Sequence, residues 1–163
     1  MKILYFGGQK SGKSSLAEGR ALALAAAKPY YVATYDNRYG DAEMERRLDK
    51  HRQTRQNDFI TVEESRDLCG VVREGETYLI DCVSMWLFNR LEESEEALIK
   101  EVEALGAIDA NIVFVLNDVG SGIIPADPLS RRYVDLSGII GQTLARICDE
   151  VIEVKLGLEV RLK

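Results

Sequence analysis

Apolar residues in this chain fall into short runs that alternate with longer stretches of mixed polarity. Five runs of aliphatic, aromatic and β-branched residues predict strands, at residues 2–6, 30–34, 59–63, 77–81 and 111–117. The stretches rich in helix formers predict helices, at residues 13–27, 41–55, 65–72, 83–91, 94–105 and 127–149. Ser65 and Asp127 are expected to cap the helices that they begin. The alternation predicts an α/β fold with a mainly parallel sheet flanked by helices.

The end of the chain follows a different pattern. Residues 151–154 and 158–162 are two strand-like runs on either side of Gly157. A glycine between two short strands favours a tight turn. We therefore expect a C-terminal β-hairpin after the last helix.

A glycine-rich segment lies between the first predicted strand and the first predicted helix. It reads Gly7-Gly8-Gln9-Lys10-Ser11-Gly12-Lys13-Ser14, the pattern G-x-x-x-x-G-K-S of a nucleotide-binding phosphate loop. The backbone N–H groups of such a loop and the following helix N-terminus attract phosphate anions. Lys13 is expected to act on the outer phosphates of a nucleoside triphosphate, and the Ser14 hydroxyl is expected to bind Mg²⁺. The flanking strand and helix are the context that this chemistry requires.

Polar residues at the ends of two predicted strands extend the candidate site. The run at residues 77–81 closes on Asp81, which is the form of a Walker B segment that delivers a carboxylate beside Mg²⁺. Thr34 lies where the strand at residues 30–34 ends, and ligands of open α/β sheets bind outside these ends. Ser14 and Asp81 are therefore the predicted Mg²⁺ ligands, and Thr34 is a predicted nucleotide contact.

The predicted helix at residues 41–55 is poor in apolar residues. Arg47, His51 and Arg55 are spaced four residues apart and share one face, and His51 is the only histidine in the chain. A solvated charged face with an incidental histidine is the simpler interpretation of this pattern. A functional histidine is the alternative, and the residues alone leave both open.

The composition is that of an ordinary soluble globular protein. The 163 residues include 21 Lys and Arg against 27 Asp and Glu, a net charge of −6, which does not favour a broad nucleic-acid surface. This length predicts a single domain over residues 1–163. Cys69, Cys82 and Cys148 are far apart, which predicts free thiols and a reducing cytoplasm. The apolar runs near the N-terminus are too short for a membrane span.

These motifs together resemble one known family, the bifunctional adenosylcobinamide kinase/adenosylcobinamide-phosphate guanylyltransferases of cobalamin biosynthesis. The resemblance covers nearly the whole chain and includes the phosphate loop, residues 31–34, His51-Arg52 with Arg55, and residues 117–125. The last of these segments reads Asn-Asp-Val-Gly-Ser-Gly-Ile-Ile-Pro and is similar to the family's N-E-V-G-x-G-I-V-P. Asp118, Val134 and Gly141 depart from the family's usual residues.

The resemblance implies a P-loop NTPase with a mainly parallel, RecA-like sheet and two activities. One phosphorylates the aminopropanol hydroxyl of adenosylcobinamide, with ATP or GTP as the donor. The other transfers GMP from GTP to the product through a histidine–GMP phosphoramidate, which implies His51 as the nucleophile. It further implies nucleotide contacts at Arg52, Arg55, Glu63 and Asp81, and a homo-oligomer of three or six subunits. Neighbouring arginines disfavour the imidazolium, so they keep the nucleophilic free base available.

Two other classes of function stay open at this stage. A P-loop kinase of another small molecule needs no histidine nucleophile, so it would form no covalent bond to GMP. A GTP switch protein is disfavoured, because Asn117-Asp118-Val119-Gly120 is not the N-K-x-D tetrapeptide that reads guanine. A requirement for a corrinoid acceptor during nucleotide turnover would separate these classes.

Overall fold

The structure, a computed structural model of the chain, describes residues 1–36 and 57–163. Within these two ranges, seven strands form one sheet: β1 (Lys2–Gly7), β2 (Tyr30–Ala33), β3 (Ile60–Glu63), β4 (Thr77–Asp81), β5 (Asn111–Asn117), β6 (Glu150–Lys155) and β7 (Leu158–Arg161). The helices of the described residues are α1 (Lys13–Leu24), α2 (Leu68–Val71), α3 (Val83–Phe88), α4 (Glu95–Ala107) and α5 (Pro128–Ile147). The helix predicted at residues 41–55 lies outside the described residues and stays a prediction.

The strands follow the order β3-β2-β4-β5-β1-β6-β7 across the sheet. Every neighbouring pair from β3 to β6 is parallel, whereas β7 runs antiparallel to β6. Parallel neighbours cannot be joined by a tight turn and need a longer crossover, which explains the alternation of strands and helices along the chain. The predicted α/β fold with a mainly parallel sheet is confirmed, and the strand order is consistent with a RecA-like arrangement.

Helices cover both faces of the sheet and bury two apolar clusters. One cluster includes Trp86 of α3 and Ile140 of α5, and the other includes Ala21 of α1. Ile112 and Val113 are adjacent in β5 yet belong to different clusters, because successive side chains of a strand point to opposite faces. The strand is therefore buried on both sides, and this accounts for its uninterrupted apolar sequence.

Two helices end three residues earlier than their sequence patterns predict. Helix α1 ends at Leu24 instead of residue 27, and α3 ends at Phe88 instead of residue 91. The turn after α3 binds other segments: the Asn89 side-chain amide donates to the carbonyl oxygens of Thr34 and Ser65, at 2.8 and 3.1 Å. Contacts with residues distant in the chain thus replace the last turn of the predicted helix.

The sequence predicts side-chain caps for two helices, α2 and α5. The Asp127 carboxylate accepts a hydrogen bond from the Ser130 N–H at 2.8 Å, which confirms the predicted cap of α5. The cap predicted at Ser65 is wrong, because α2 is capped by Asp67 instead. The Asp67 carboxylate accepts from the Gly70 N–H at 2.9 Å. The helix therefore begins at residue 68, three residues later than predicted.

Strands β6 and β7 form the predicted C-terminal hairpin. Lys155 faces Leu158 across a two-residue turn, and the turn residues Leu156 and Gly157 have φ values of 55° and 80°. Two successive positive φ values are typical of the type I′ turn, whose twist matches that of the flanking strands. The Gly157 N–H also donates to the Ser11 carbonyl oxygen at 2.8 Å. The hairpin turn therefore contacts the phosphate-binding loop directly.

The three cysteine thiols are free. Burial raises the pKa of the Cys69 thiol to about 11 and that of the Cys148 thiol to about 12. A thiol must lose its proton to become a nucleophile, so burial lowers the reactivity of both. Within residues 1–36 and 57–163, no helix combines the length and the apolar character needed to cross a bilayer.

Candidate active site

The predicted phosphate-binding loop connects β1 to α1. The strand ends at Gly7 and the helix begins at Lys13, so the strand–loop–helix geometry inferred from the motif is present. The Ser11 N–H donates to the Gly8 carbonyl oxygen at 3.2 Å and closes a turn within the loop. Gly12, which precedes the helix, has a φ of 98°, a left-handed conformation that favours glycine.

Two neighbouring segments hold this loop in place. On the β5 side, the Asp118 N–H donates to the Gly7 carbonyl oxygen at 2.9 Å. On the β6 side, a Cβ atom at Gly7 would lie 2.3 Å from the Val154 carbonyl oxygen, so only glycine fits there. The hydrogen bond from Gly157 to Ser11 adds a third contact. The loop is therefore ordered by the fold and is ready to receive a ligand at little further cost in entropy.

Lys13 is nearly buried at the start of α1, where it is 6% exposed. Its ammonium donates to the Gly8 carbonyl oxygen at 3.1 Å. Burial lowers the pKa of Lys13 from its ordinary value, while Cys82 and Asp81 act in the opposite direction. A phosphate in the loop would replace the solvation that burial removes from the ammonium. The geometry therefore places a cation where the motif predicts it.

Two other loop residues also suit an anionic ligand. The Ser11 Oγ atom is buried and has no hydrogen-bond partner in the described part of the chain, although buried polar groups are normally paired. Lys10 has a φ of 55°, which is a strained conformation for a residue other than glycine. Such strain is typical of ligand-binding loops, and Gly8, Gln9 and Lys10 are all exposed.

Asp81 lies at the carboxyl edge of the sheet. It is the last residue of β4, which is parallel to β5. Strand β1 lies on the other side of β5 and is parallel to it as well. The ends of β1 and β4 therefore lie at the same edge. The Tyr31 hydroxyl donates to Asp81 Oδ2 at 3.1 Å, and Asp81 is close enough to Lys13 to raise its pKa. The structure thus brings the predicted Walker B carboxylate to the lysine of the phosphate loop.

Thr34 occupies the same edge but is fully buried. Its hydroxyl donates to the Cys82 carbonyl oxygen at 2.7 Å and accepts from the Cys82 N–H at 3.0 Å. These two bonds tie the end of β2 to the residue that follows β4. The nucleotide contact predicted at Thr34 stays a prediction, and the structure adds a role in positioning Asp81.

Glu63 ends β3 and lies opposite Ala33 of β2, so its exposed side chain belongs to the same edge of the sheet. The other predicted residues of the site, His51, Arg52 and Arg55, lie outside the described residues. Their roles and their distances from the phosphate loop stay predictions.

The oxygen donors at this edge fit Mg²⁺. Among the described residues, no three His, Cys, Asp or Glu side chains cluster in a way that could hold a metal. Mg²⁺ in phosphate-transfer sites needs no such cluster, because one or two protein ligands join the substrate phosphates and water. Ser14 in the first turn of α1 and Asp81 at the end of β4 offer a hydroxyl and a carboxylate. Both are hard oxygen donors of the kind that Mg²⁺ prefers.

Two residues of this site are not identified by sequence reasoning. Tyr31 reads only as a strand residue, yet its hydroxyl binds Asp81. The sequence does offer one indication of this contact, because a tyrosine in a buried strand needs a hydrogen-bond partner for its hydroxyl. Asn89 lies in a segment predicted as helix and gives no such signal, because its amide binds two segments that are distant in the chain.

An apolar groove lies beside the same edge. Its volume is about 330 Å³ and its lining residues are Met85, Phe88, Leu91, Leu129, Ser130, Tyr133 and Val134. The Tyr133 hydroxyl donates to the Ser84 carbonyl oxygen at 3.3 Å, so one wall of the groove contacts the segment that follows Asp81. Ile123 and Ile124, in the loop between β5 and α5, are also exposed.

A phosphate loop between a parallel strand and a helix, with a carboxylate at the end of a nearby strand, defines a nucleotide-binding protein of the P-loop class. Residues 3–162 match the CobU family, described as cobinamide kinase / cobinamide phosphate guanyltransferase. The chain belongs to this family. The resemblance drawn from the sequence motifs is thereby confirmed.

Similar proteins cover the full length of the chain. It is 38% identical over its whole length to the bifunctional adenosylcobalamin biosynthesis protein CobP of Pseudomonas aeruginosa, of which 98% is covered. It is 33% identical to the bifunctional adenosylcobalamin biosynthesis protein CobU of Escherichia coli and 32% identical to that of Salmonella typhimurium, with both proteins fully covered. A KaiC-like protein from Pyrococcus horikoshii aligns with 93% of this chain and 69% of its own, at a TM-score of 0.45 and 16% identity.

Proposed function

We propose that this protein phosphorylates adenosylcobinamide on its aminopropanol hydroxyl and then transfers GMP from GTP to the product. The final product is adenosyl-GDP-cobinamide, an intermediate of cobalamin biosynthesis. The observation that carries this proposal is the family match over residues 3–162. The ordered phosphate loop and the carboxylate facing it support the nucleotide chemistry that both reactions need.

For the kinase reaction, the protein binds and orients the nucleoside triphosphate, ATP or GTP. Phosphoryl transfer depends mainly on positioning and on neutralising charge. The ammonium of Lys13, the buried hydroxyl of Ser11 and the N–H groups of the loop provide positive or donor groups around the phosphates. The γ-phosphoryl group passes to the substrate hydroxyl, which loses its proton, and the nucleoside diphosphate leaves.

We further propose Ser14 and Asp81 as the protein ligands of Mg²⁺, either directly or through water. When bound there, Mg²⁺ would supply positive charge that offsets the charge of the triphosphate. Tyr31 of the neighbouring strand β2 positions Asp81 through its bond to Oδ2. Thr34, which follows that strand, positions Asp81 through its bond to Cys82. The carboxylate is therefore held by two contacts that do not involve the loop itself.

For guanylyl transfer, we propose His51 as the nucleophile. Its neutral imidazole forms a bond to the α-phosphorus of GTP while the bond to pyrophosphate breaks. The GMP group then passes from His51 to the phosphate of adenosylcobinamide phosphate. Arg52 and Arg55 bind the GTP phosphates, since arginine suits phosphate geometry, and Thr34 and Glu63 contact the nucleotide.

The same resemblance supports three further proposals about the whole protein. It acts as a single domain, it forms a homo-oligomer of three or six subunits, and it works in the cytoplasm. Neither nucleic acid nor a membrane takes part in the proposed reactions.

Covalent labelling with GTP tests the proposal. The wild-type protein is incubated with GTP labelled in the α-phosphate, and the modified peptide is located by mass spectrometry. We expect one GMP group on His51, in a linkage that is labile in acid and stable in base. His51→Ala should lose labelling and guanylyl transfer but still phosphorylate adenosylcobinamide, because Lys13, Ser14 and Asp81 are unchanged.

Lys50→Ala is the matched control, because Lys50 is the nearest other nucleophile and its ordinary pKa of about 10.4 keeps it protonated. This variant should be labelled like the wild type. Labelling that persists in His51→Ala and disappears in Lys50→Ala would move the covalent bond to the lysine. A wild-type protein that transfers phosphate but is never labelled would be a kinase alone.

A further inference from the structure

The turn of the C-terminal hairpin lies against the phosphate-binding loop. The Gly157 N–H donates to the Ser11 carbonyl oxygen at 2.8 Å, and a Cβ atom at Gly12 would lie 3.3 Å from the Gly157 Cα atom. The turn therefore contacts the loop at two successive residues, next to the start of α1. A nucleotide whose phosphates occupy the loop must lie close to this turn.

Leu156, the other residue of the turn, has two unusual properties. Its side chain is 90% exposed, although leucine is among the residues most often buried. Its φ of 55° is a left-handed conformation, which is sparsely populated by leucine and for which a type I′ turn normally uses Asn, Asp or Gly. The turn itself therefore does not explain this leucine, and a strained residue beside a binding loop points to a functional role.

The order of the strands indicates the direction in which a bound triphosphate runs. The order β4-β5-β1-β6-β7 places Asp81 of β4 on one side of the phosphate loop and the hairpin turn on the other. The outer phosphates belong on the Asp81 side, because Lys13 and the proposed Mg²⁺ ligands act on them. The nucleoside end of the same molecule then leaves the loop toward β6 and the hairpin turn.

The exposed apolar surface at this edge supports the same direction. The apolar groove is lined by Phe88 of α3 and Tyr133 of α5, among others, and the exposed Ile123 and Ile124 follow β5. Strand β5 lies between β1 and β4, so these side chains are on the Asp81 side of the loop. An acceptor bound there meets the γ-phosphate from the side opposite to the hairpin, as in-line phosphoryl transfer requires. The hairpin side remains for the base.

We infer that Leu156 packs against the base of the nucleoside triphosphate that donates the phosphoryl group. Every base has a flat face that a side chain can cover, and covering it removes apolar surface of both groups from water. The leucine side chain has no hydrogen-bonding atom, so it stabilises adenine and guanine alike. The inference rests on the proposed binding of the phosphates in the loop, and it adds a contact to the base that the phosphate-loop motif does not contain.

A ligand with a base and a ligand without one separate the two kinds of contact. The Mg²⁺ complexes of the non-hydrolysable ATP analogue AMP-PNP and of inorganic tripolyphosphate are titrated calorimetrically into the full chain. In Leu156→Asn the affinity for AMP-PNP should fall by about fivefold to tenfold, as loss of a partly covered leucine predicts, while that for tripolyphosphate should stay within about twofold. Asn-Gly is a preferred type I′ sequence, so this variant should keep the turn.

Two further variants are the controls. Leu156→Met keeps an apolar side chain and should bind both ligands like the wild type. Leu162→Asn replaces an exposed leucine that lies beyond the end of β7, far from the turn, and should also bind like the wild type. Urea denaturation shows whether each variant folds.

The possible failures are distinguishable. Unchanged affinity of Leu156→Asn for AMP-PNP would overturn the inference alone. An equal loss for both ligands would overturn it as well, because the turn would then act on the phosphate loop and not on the base. The same loss in Leu162→Asn would show an effect of the hairpin that is not specific to Leu156. A wild-type protein that binds neither ligand would overturn the proposed phosphate site and, with it, this inference.

Discussion

Two loops at the carboxyl edge of the sheet are built in opposite ways. The phosphate-binding loop follows β1 and is held by hydrogen bonds from Gly157 and Asp118. Residues 118–127 follow β5, the strand next to β1, and carry Ile123 and Ile124 at 96% and 81% exposure. One loop is fixed by the rest of the fold, and the other presents apolar side chains to solvent.

The internal contacts of the second loop are short in range. The Asp118 carboxylate accepts from the Gly120 N–H at 3.2 Å and from the Ser121 hydroxyl at 2.9 Å. These bonds shape the beginning of the loop, but they do not cover Ile123 or Ile124. Exposed apolar side chains next to a ligand site are typical of a binding surface.

This difference suggests that the two loops at this edge bind different substrates, the first loop the nucleotide and the second the acceptor. A triphosphate is small and highly charged, so it is best bound by donors that are fixed before it arrives. A corrinoid acceptor is large and partly apolar. When it covers exposed apolar side chains, the removal of their surface from water contributes favourable binding free energy. We therefore expect substitutions in the first loop to affect every nucleotide-dependent step, and substitutions in the second to affect the acceptor.

The largest effect is expected for Lys13→Ala. Both activities should fall by about 10³-fold, the loss expected when a fixed group that stabilises transition-state charge is removed. The fold should survive, because loss of a buried ammonium removes a desolvated charge. Kinetic assays measure the two activities, calorimetric titration measures the affinity for nucleotide, and circular dichroism shows whether the variant folds. Lys100→Ala, on the exposed face of α4, is the control. Unchanged nucleotide affinity in Lys13→Ala would contradict the role given to the loop.

Gly7→Ala tests whether the first loop is held by its neighbours. The added methyl group would meet the Val154 carbonyl oxygen at 2.3 Å, so the free energy of unfolding should fall by about 1–3 kcal/mol. Nucleotide affinity should fall with it. Gly8→Ala is the matched control, since a Cβ there meets nothing within 4 Å. Urea denaturation gives the comparison, and equal stability of the two variants would show that the packing is unimportant.

Asp81→Asn keeps the size of the side chain and removes its charge. We expect the Mg²⁺ concentration for half-maximal kinase activity to rise by at least about tenfold, with little change in thermal stability. Tyr31→Phe removes only the hydroxyl that binds Asp81. The Mg²⁺ concentration for half-maximal activity should therefore rise in this variant too, but by less. Identical Mg²⁺ titrations for Asp81→Asn and the wild type would assign Asp81 another role.

The smallest effect on the protein itself is expected in the second loop. The double variant Ile123→Ser with Ile124→Ser should change the free energy of unfolding by less than about 0.5 kcal/mol, because both side chains are exposed. Nucleotide affinity should be unchanged, whereas KM for adenosylcobinamide should rise. Steady-state kinetics with each substrate varied in turn separate these outcomes. A changed affinity for nucleotide would show that the two loops do not act separately.

Features that depend on residues close together in the chain follow from the sequence alone. Strand and helix periodicity, the glycine pattern of the phosphate loop, the Asp127 cap and the hairpin around Gly157 are local. The structure confirms them in the residues that it describes, and the helix at residues 41–55 stays a prediction. The apolar run at residues 111–117 predicted a strand, and the structure explains its composition by burial on both faces of the sheet. The family itself was recognisable from short motifs in a fixed order.

Tertiary structure decided the contacts between segments that are far apart in the chain. The strand order, the packing of Gly157 on Ser11 and the bond from Tyr31 to Asp81 join residues separated by tens of positions or more. The end of α3 also differs from local expectation, since the Asn89 amide binds Thr34 and Ser65, which are distant in the chain. The α2 cap is a different case, because Asp67 binds Gly70 three residues later and is therefore a local contact. Local propensities set which elements form, whereas long-range packing and hydrogen bonding set where they end and which side chains meet at the site.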